Sequence, residues 1–429
     1  MVDFGLSFLD QVFKANKKTV KVIQGNAEIF GVPCVLNEQY ELSVGKYAVF
    51  TWYGCDVQLS SVKQSSKTPG AGPLGSAYVT EDQNFAMLAA ANVHGRLEQS
   101  REDALAKQIR GPVAIIVGPG DSGKSTLTRV LGAYAARRGK RPILVDLDPG
   151  QNDLAPSGSL AAVGVDIETL SVEEGVSASG SLVYFYGYAS PAEAPEHYRK
   201  GIQQIASTIE GRFALDPASQ ASGCIVNTCG WVEGEGYPLL LHAIQTFKAD
   251  VVLVMGQDLL LNKLKKSLPE TCTVLKLPVS GGATARSREY RKRTRDRSAR
   301  EYFNGSRVSG ASLTPSVQEV SFDDITVLRI PNKEDVADEG IRPIGKASAI
   351  DPNKARPVEL DSNLLHAILA VSHAQTEEEV LDRNIAGFVH VQGIDVDQRK
   401  ITLLCPQKGE LPGKFLLMGG IKWIDNATA

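Results

Sequence analysis

The sequence predicts an α/β protein. A central domain of the phosphate-loop type, built on a parallel sheet, is flanked by a small N-terminal β-sandwich and a mostly β (α+β) C-terminal domain. Three observations carry this reading. Four near-continuous apolar runs, VAIIV (113–117), PILVD (142–146), CIVN (224–227) and VVLVM (251–255), with TVLKL (273–277) as a fifth, alternate with helical segments. Strands covered on both faces by helices read in this way. Directly after the first run comes GPGDSGKST. On either side of the alternation the pattern reverts to short β-rich runs between Gly, Pro and Asn turns.

Taken in chain order, residues 1–82 form the N-terminal β domain, with runs TVKVIQ, AEIFG, YELSV, YAVFTWYG and CDVQLS between Thr19 and Ser60. The polar stretch 61–76 reads as an exposed loop, and AYVT resumes strand character. Residues 83–109 are a linking helix, with a helical run from about Asn84 to Gln108. Residues 110–305 are the phosphate-loop domain, ending in an arginine-rich segment at 280–305. After Gly305, within 306–429, VQEVSF, ITVLRI, AGFVHVQGID, KITLLCP and GKFLLMGGIKWID give the β-rich third domain, interrupted by a Pro- and Lys-rich excursion at 331–358. There is no internal repeat.

Composition narrows the function classes. At 429 residues, with 43% hydrophobic and 22% charged side chains, the chain exceeds one compact core. The six cysteines are scattered without a CxxC pair, which argues for a reducing compartment and against a disulfide framework or zinc site. No apolar run approaches the roughly 20 residues needed to span a bilayer, and the opening MVDFGLSFLDQVFKANKK carries acids within its apolar pattern, unlike a targeting peptide. The expectation is a protein with no membrane partner, at home in cytosol or nucleus. A formal net charge of −3 confines any nucleic-acid contact to a local patch.

The chemistry starts at the phosphate loop. Gly118, four residues, then Gly123, Lys124 and Ser125 stand between a buried strand and the helical run TLTRVLGAYAARR. In that context the backbone from Gly118 through Gly120, Asp121, Ser122 and Gly123 to Thr126 turns its N–H groups onto phosphate at a helix N-terminus. Lys124 neutralises β/γ oxygens, and Ser125 offers a hydroxyl to Mg2+. The second buried strand ends in VDLDPGQ, where Asp146 and Asp148, two apart, would share a face if the strand continues, or else part where the chain turns at Pro149. Acids there can receive a metal-water shell or a nucleophile's proton, or simply cap the next turn. GQDLLLNKLKK, after the fourth run, lacks the aspartate of an NKxD guanine reader, which favours ATP. The segment ARSREYRKRTRDRSAR (285–300) holds eight basic and two acidic side chains in sixteen positions. A solvated helix face, a nuclear-import or nucleic-acid patch, and a clamp on a migrating phosphate all fit. As a helix it places Arg288, Arg291 and Arg295 on one face and Arg286, Arg293, Arg297 and Arg300 nearer the other.

With the phosphate loop, NAEIFG (26–31), NTCGW (227–231), VLVMGQ (252–257), SGGATARSREYRKRTRDRSAREYFNG (280–305) and AGFVHVQGID (386–395) in view, the chain resembles the Clp family over about Thr19 to Asp425. These are polyribonucleotide 5′-hydroxyl kinases that are also subunits of the pre-mRNA cleavage and polyadenylation machinery. The resemblance implies ATP and Mg2+ as cofactors and an RNA 5′-hydroxyl as phosphate acceptor. Cleavage-complex subunits and the tRNA splicing endonuclease are the protein partners it implies, and the nucleus the location. It implies Lys124, Ser125 and Thr126 for triphosphate and metal, Asp146 for the metal-water shell and Asp148 as the base. Arg286, Arg291 and Arg295 become lid arginines, with Arg286 at the hinge. Trp231, Gln151 and Arg288 fall to RNA, Trp231 by stacking on a base. Two departures stand out. Pro149 replaces a small or aliphatic residue of active members, as in members that keep ATP without catalysis, although Asp146 and the lid arginines remain. GYASP (187–191) places Tyr188 and Ala189 where the family has His and Thr near the RNA path. A catalytically inert ATP-binding scaffold subunit is the alternative these departures raise.

Overall fold

The computed structural model describes residues 11–15, 18–42, 45–61, 77–79, 85–305, 313–337 and 351–424. The N-terminal runs form two facing sheets. One has the order Val32–Pro33, Glu28–Ile29, Gly45–Phe50, Gln11–Ala15, Ala77–Val79; the other has Gln39–Leu42, Lys18–Gly25, Cys55–Ser61. Alternation does the sorting, as in Gln39–Leu42, where Tyr40 and Leu42 turn inward. Gln11–Ala15 lies outside the runs the sequence marks. The loop expected at 61–76 falls, from residue 62, outside the described residues, as does Asn84 at the start of the linking helix. The sandwich core of Val20, Val22, Ile29, Leu42 and Val49 closes on Ala133 of the phosphate-loop helix, so the first domain packs onto the second. A partly exposed ionic contact on a buried carboxylate joins them: Glu28 accepts from the Tyr134 hydroxyl and, at 2.8 Å, from Arg137.

The linking helix, Phe85–Lys107, buries Ala90, Val93, Leu97 and Ala104. Its Arg101 is 1% exposed, and Nε donates to the Ser222 carbonyl at 2.9 Å. Nη1 pairs with Glu98 Oε2 at 3.5 Å, and Nη2 is left without a hydrogen-bond partner among the described residues. The central sheet runs Leu182–Phe185, Ser159–Gly164, Ile143–Asp146, Cys224–Asn227, Val113–Val117, Val251–Met255, Thr273–Leu277. The five runs read from sequence are its parallel strands, and four of them are almost fully buried. The other two strands add antiparallel to the edge. The sequence signal of Ser159–Gly164, SLAAVG, is weak because it is mostly small residues under a closely packed helix: a Cβ at Gly201 of Pro195–Leu215 would lie 2.8 Å from Leu160.

The C-terminal sheet has the order Ser316–Ser321, Lys400–Cys405, Ile385–Asp395, Ala367–Ser372, Phe415–Lys422, Thr326–Arg329, Arg356–Pro357. Ala367–Ser372 is buried throughout and sits at its centre, though the sequence reading passes over it. Within the excursion at 331–358 a short helix spans Lys333–Ala337, and residues 338–350 lie outside the described residues. The third domain shares a core with the second, in which Tyr186, Tyr188, Phe303, Phe388 and Trp423 are all buried. Among the described residues no helix is long and apolar enough to cross a membrane.

Candidate active site

Parallel strands end at one edge of a sheet, and the loops beyond that edge make the site. Val113–Val117 feeds the phosphate loop, in which Gly118 (φ +153°) and Gly123 (φ +90°) take up conformations that a side chain resists. The helix Lys124–Arg137 follows at once. Lys124 is buried, with Nζ donating to the carbonyls of Gly118 at 2.9 Å and Pro119 at 2.8 Å. Burial pushes its ammonium below the usual lysine range, and Asp148 is the largest charge holding it up. The Ser122 hydroxyl turns inward onto Pro119 O, which leaves its N–H as the group it can offer a ligand.

The next strand but one supplies two carboxylates of different character. Asp146 is buried behind the cleft wall: Oδ1 accepts from Asp148 N–H and Asn227 Nδ2, both at 3.0 Å, and Oδ2 from Asp153 N–H at 2.9 Å. Asp148 lies in the wall itself, with Oδ1 accepting from the N–H groups of Gly150 at 2.9 Å and Gln151 at 3.1 Å. Burial pushes its carboxyl above the usual range, against those two bonds and the Lys124 charge. Pro149 fits this turn without strain on its neighbours' bonding, its carbonyl accepting from Gly158 N–H at 2.8 Å and Ser157 Oγ at 3.0 Å.

Asn227 is a site residue that sequence reasoning missed. It ends Cys224–Asn227 opposite Asp146 in the parallel register, and Nδ2 bridges Asp146 and the Ser125 hydroxyl, the latter at 3.2 Å. Its Oδ1 is buried without a hydrogen-bond partner among the described residues. The signal that could have found it is a polar residue closing an otherwise apolar run beside the phosphate loop. Hard oxygen donors, one of them orphaned, around a phosphate-loop hydroxyl fit Mg2+.

Beyond Asn227 the NTCGW loop turns against the phosphate loop. A Cβ at Gly230 would lie 2.6 Å from the backbone of Gly120, so only glycine lets the two loops touch. Half-buried Trp231 rests on Gly236, where a Cβ would meet the indole at 2.6 Å. Cys229 also lines the wall, and burial pushes its thiol up to about 11, which disfavours thiolate chemistry.

The arginine-rich segment expected as a lid lines the opposite side. Its helix, Arg288–Asn304, is capped by the Ser287 hydroxyl, which accepts from Tyr290 N–H at 3.1 Å. Together these walls enclose a cleft of about 680 Å³. It brings together Gly120 to Thr126, Asp148, Gln151, Trp231, Arg286, Arg291 and Arg295. Asp146 sits in an adjoining chamber with Ser125 and Asn227. Three expectations need correction. Arg288 does not join Arg291 and Arg295 in the cleft; it is the first helical residue and is exposed to solvent. Arg286 precedes the helix, so helical phase does not govern it, and it lines the same cleft. Tyr188 is 1% exposed in the core, where its hydroxyl donates to Ile330 O of the third domain; of GYASP only Ala189, Ser190 and Pro191 reach the cleft. The far end of the cleft has an apolar wall from Phe30 and Tyr47 of the sandwich, Met87 and Ala90 of the linking helix, and Leu277.

Comparison with known proteins agrees with this geometry. A family model described as the mRNA cleavage and polyadenylation factor CLP1 P-loop matches residues 118–305. Models of the N-terminal beta-sandwich domain of polyadenylation factor and of pre-mRNA cleavage complex II protein Clp1 match 10–104 and 313–425. The chain is 39% identical over 418 residues to Protein CLP1 homolog of Arabidopsis thaliana, covering 95% of this chain and 90% of that one. It is 37% identical over 408 residues to polyribonucleotide 5′-hydroxyl-kinase Clp1 of Homo sapiens, covering 95% and 92%. Among solved structures, Clp1p in a wild-type Clp1p–Pcf11p complex superposes with a TM-score of 0.82 at 25% identity, covering 97% of this chain and 96% of that one. From its phosphate loop, its three matched domains and these relatives, the chain belongs to the Clp1 family of mRNA cleavage and polyadenylation factors, nucleotide-binding proteins of the phosphate-loop kinase type.

Proposed function

We propose that the chain transfers the γ-phosphoryl group of ATP to the 5′-hydroxyl of RNA. The observation that supports this best is one cleft lined at once by the phosphate loop, the half-buried carboxylate of Asp148, the lid arginines and Trp231. An ATPase needs no aromatic platform beside its phosphates; a nucleic-acid kinase does. The apolar end at Phe30, Tyr47, Met87 and Leu277 receives the adenine, and Ala189 to Pro191 lie on the RNA side.

Each residue then has a physical task. Loop N–H groups and Lys124 neutralise the triphosphate. Ser125, with Asp146 and Asn227 around the waters, would hold Mg2+, which when bound offsets charge on the β and γ oxygens. Asp148 accepts the proton of the RNA 5′-hydroxyl as its oxygen attacks phosphorus and the bond to the ADP oxygen breaks. A carboxyl raised by burial is a stronger base than one in water. Arg295 and Arg286 face the charge that develops in transit, and Trp231 with Gln151 orients the terminal nucleotide. The partners that follow are RNA with a 5′-hydroxyl end, subunits of the cleavage complex and the tRNA splicing endonuclease, in the nucleus.

Incubation with γ-labelled ATP and a 5′-hydroxyl oligoribonucleotide tests the reading. Label should appear on the RNA, and Lys124→Ala should abolish the transfer while leaving the fold intact. No transfer by folded, nucleotide-binding protein would contradict it.

A further inference from the structure

We propose that Asp121, between Gly118 and Gly123 of the phosphate loop, is a positioning residue that latches the lid over the cleft. The lid arginines thereby divide their work: Arg291 holds the lid down, and Arg295 faces the transferring phosphate. This rests on the kinase reading and adds to it a residue that neither touches the acceptor nor moves a proton.

The geometry is a two-point grip. Asp121 Oδ2 accepts from Arg291 Nη2 at 2.7 Å and from the backbone N–H of Arg286 at 2.8 Å. Every hydrogen-bond partner of this carboxylate among the described residues belongs to the lid. Its neighbour Ser122, by contrast, spends its hydroxyl within the loop, on Pro119 O at 2.9 Å. Arg286 lies just before the helix cap and Arg291 one turn into the helix, so the grip fixes both the position of the first turn and its rotation. Asp121 holds φ +61°, a left-handed conformation that aspartate and asparagine tolerate better than other side chains.

Electrostatics gives the same answer. A carboxylate at the mouth of a site built for a triphosphate repels the ligand unless a cation neutralises it. Arg291 supplies that cation through a charge-assisted bond, with the Asp121 side chain 16% exposed and the Arg291 side chain 40% exposed. The charge of Arg291 is thereby shared with the loop. Arg295, one turn further on, lines the cleft and has no hydrogen-bond or ion-pair partner among the described residues, leaving its guanidinium for phosphate.

The test follows release of a fluorescent ATP analogue by stopped flow, since a nucleotide under a latched lid leaves only when the lid lifts. Asp121→Asn keeps the left-handed backbone accessible and removes the charge. It should speed release by about fivefold, as loss of a half-exposed charged bond does. Arg291→Gln, which leaves the phosphate loop untouched and so remains informative if the loop variant misfolds, should speed it at least as much, since it also leaves the Asp121 charge unneutralised. The double variant should release no faster than either single one, whereas Asp121→Asn placed on Arg295→Ala should keep its whole effect. The latch is overturned if Asp121→Asn leaves release unchanged, or speeds it as much with Arg291→Gln present as without. Release is read without RNA, so a latch seen in protein that transfers no label would sink the kinase reading alone.

Discussion

The two ends of the lid helix are held by opposite kinds of force. At its N-terminal end Arg286 and Arg291 grip one carboxylate, and Arg295 faces the cleft. At its C-terminal end Phe303 is completely buried and stacks on Trp423, with centroids 5.6 Å apart and planes 7° from parallel, while the Tyr302 hydroxyl accepts from Phe388 N–H at 2.9 Å. An aromatic anchor in a shared core is lost only with the fold. A half-exposed ion pair is worth little and is remade easily. Under the latch proposed above, the difference teaches how one helix can be fixed to the third domain and still open over the second: the hydrophobic end would be a pivot, and the charged end a catch. Composition tells the ends apart, since the first eleven residues of the helix, REYRKRTRDRS, are almost wholly polar and the last five are REYFN.

Substitutions at either end should fail in different assays, which makes the comparison breakable. The largest effect belongs to the charged end: Arg295→Ala should lower kcat by about 10³-fold with ATP affinity and melting temperature unchanged, because an arginine facing the transferring phosphate acts on the transition state. A loss of RNA affinity in place of kcat would make Arg295 a backbone contact instead. Next is Phe303→Ala, expected to destabilise the protein by about 3 kcal/mol or more through the cavity it opens, and to show first in the melting temperature. Should it leave stability intact and change only kcat, the pivot would be misassigned. Tyr302→Phe removes the acceptor for Phe388 N–H and should cost about 1 kcal/mol in denaturant unfolding, with kcat retained. Smallest is Arg288→Ala. On the solvent side, it should leave kcat alone and weaken RNA binding slightly, with a salt dependence shallower by about one unit.

Much of this was legible in the sequence, and what was not has physical reasons. The phosphate loop and the five parallel strands are legible because burial on both faces forces near-continuous apolar runs and the loop demands glycines at fixed spacing. Ser159–Gly164 escapes because SLAAVG owes its place to close packing of small side chains, which periodicity does not register, and Ala367–Ser372 because AILAVS is a short apolar run that periodicity alone does not tell from a buried helix segment. Asn227 escapes because its role comes from register: it stands beside Asp146 only once two strands 81 residues apart are paired. Tyr188 was drawn toward RNA by analogy of position, yet the sheet turns it into the seam with the third domain, where its hydroxyl finds a carbonyl. Helical spacing alone grouped Arg288 with Arg291 and Arg295, but 288 is the first residue of the helix and looks outward.

The most direct measurement of the central claim sets two oligoribonucleotides side by side, identical except that one begins with a 5′-hydroxyl and the other with a 5′-phosphate, each incubated with γ-labelled ATP and Mg2+. A kinase that uses Asp148 to take a proton from the acceptor labels the first and leaves the second untouched, with one ADP formed for each phosphate transferred. Release of inorganic phosphate at the same rate with either RNA, or retention of ATP with no turnover at all, would contradict it and leave a nucleotide-dependent scaffold in its place.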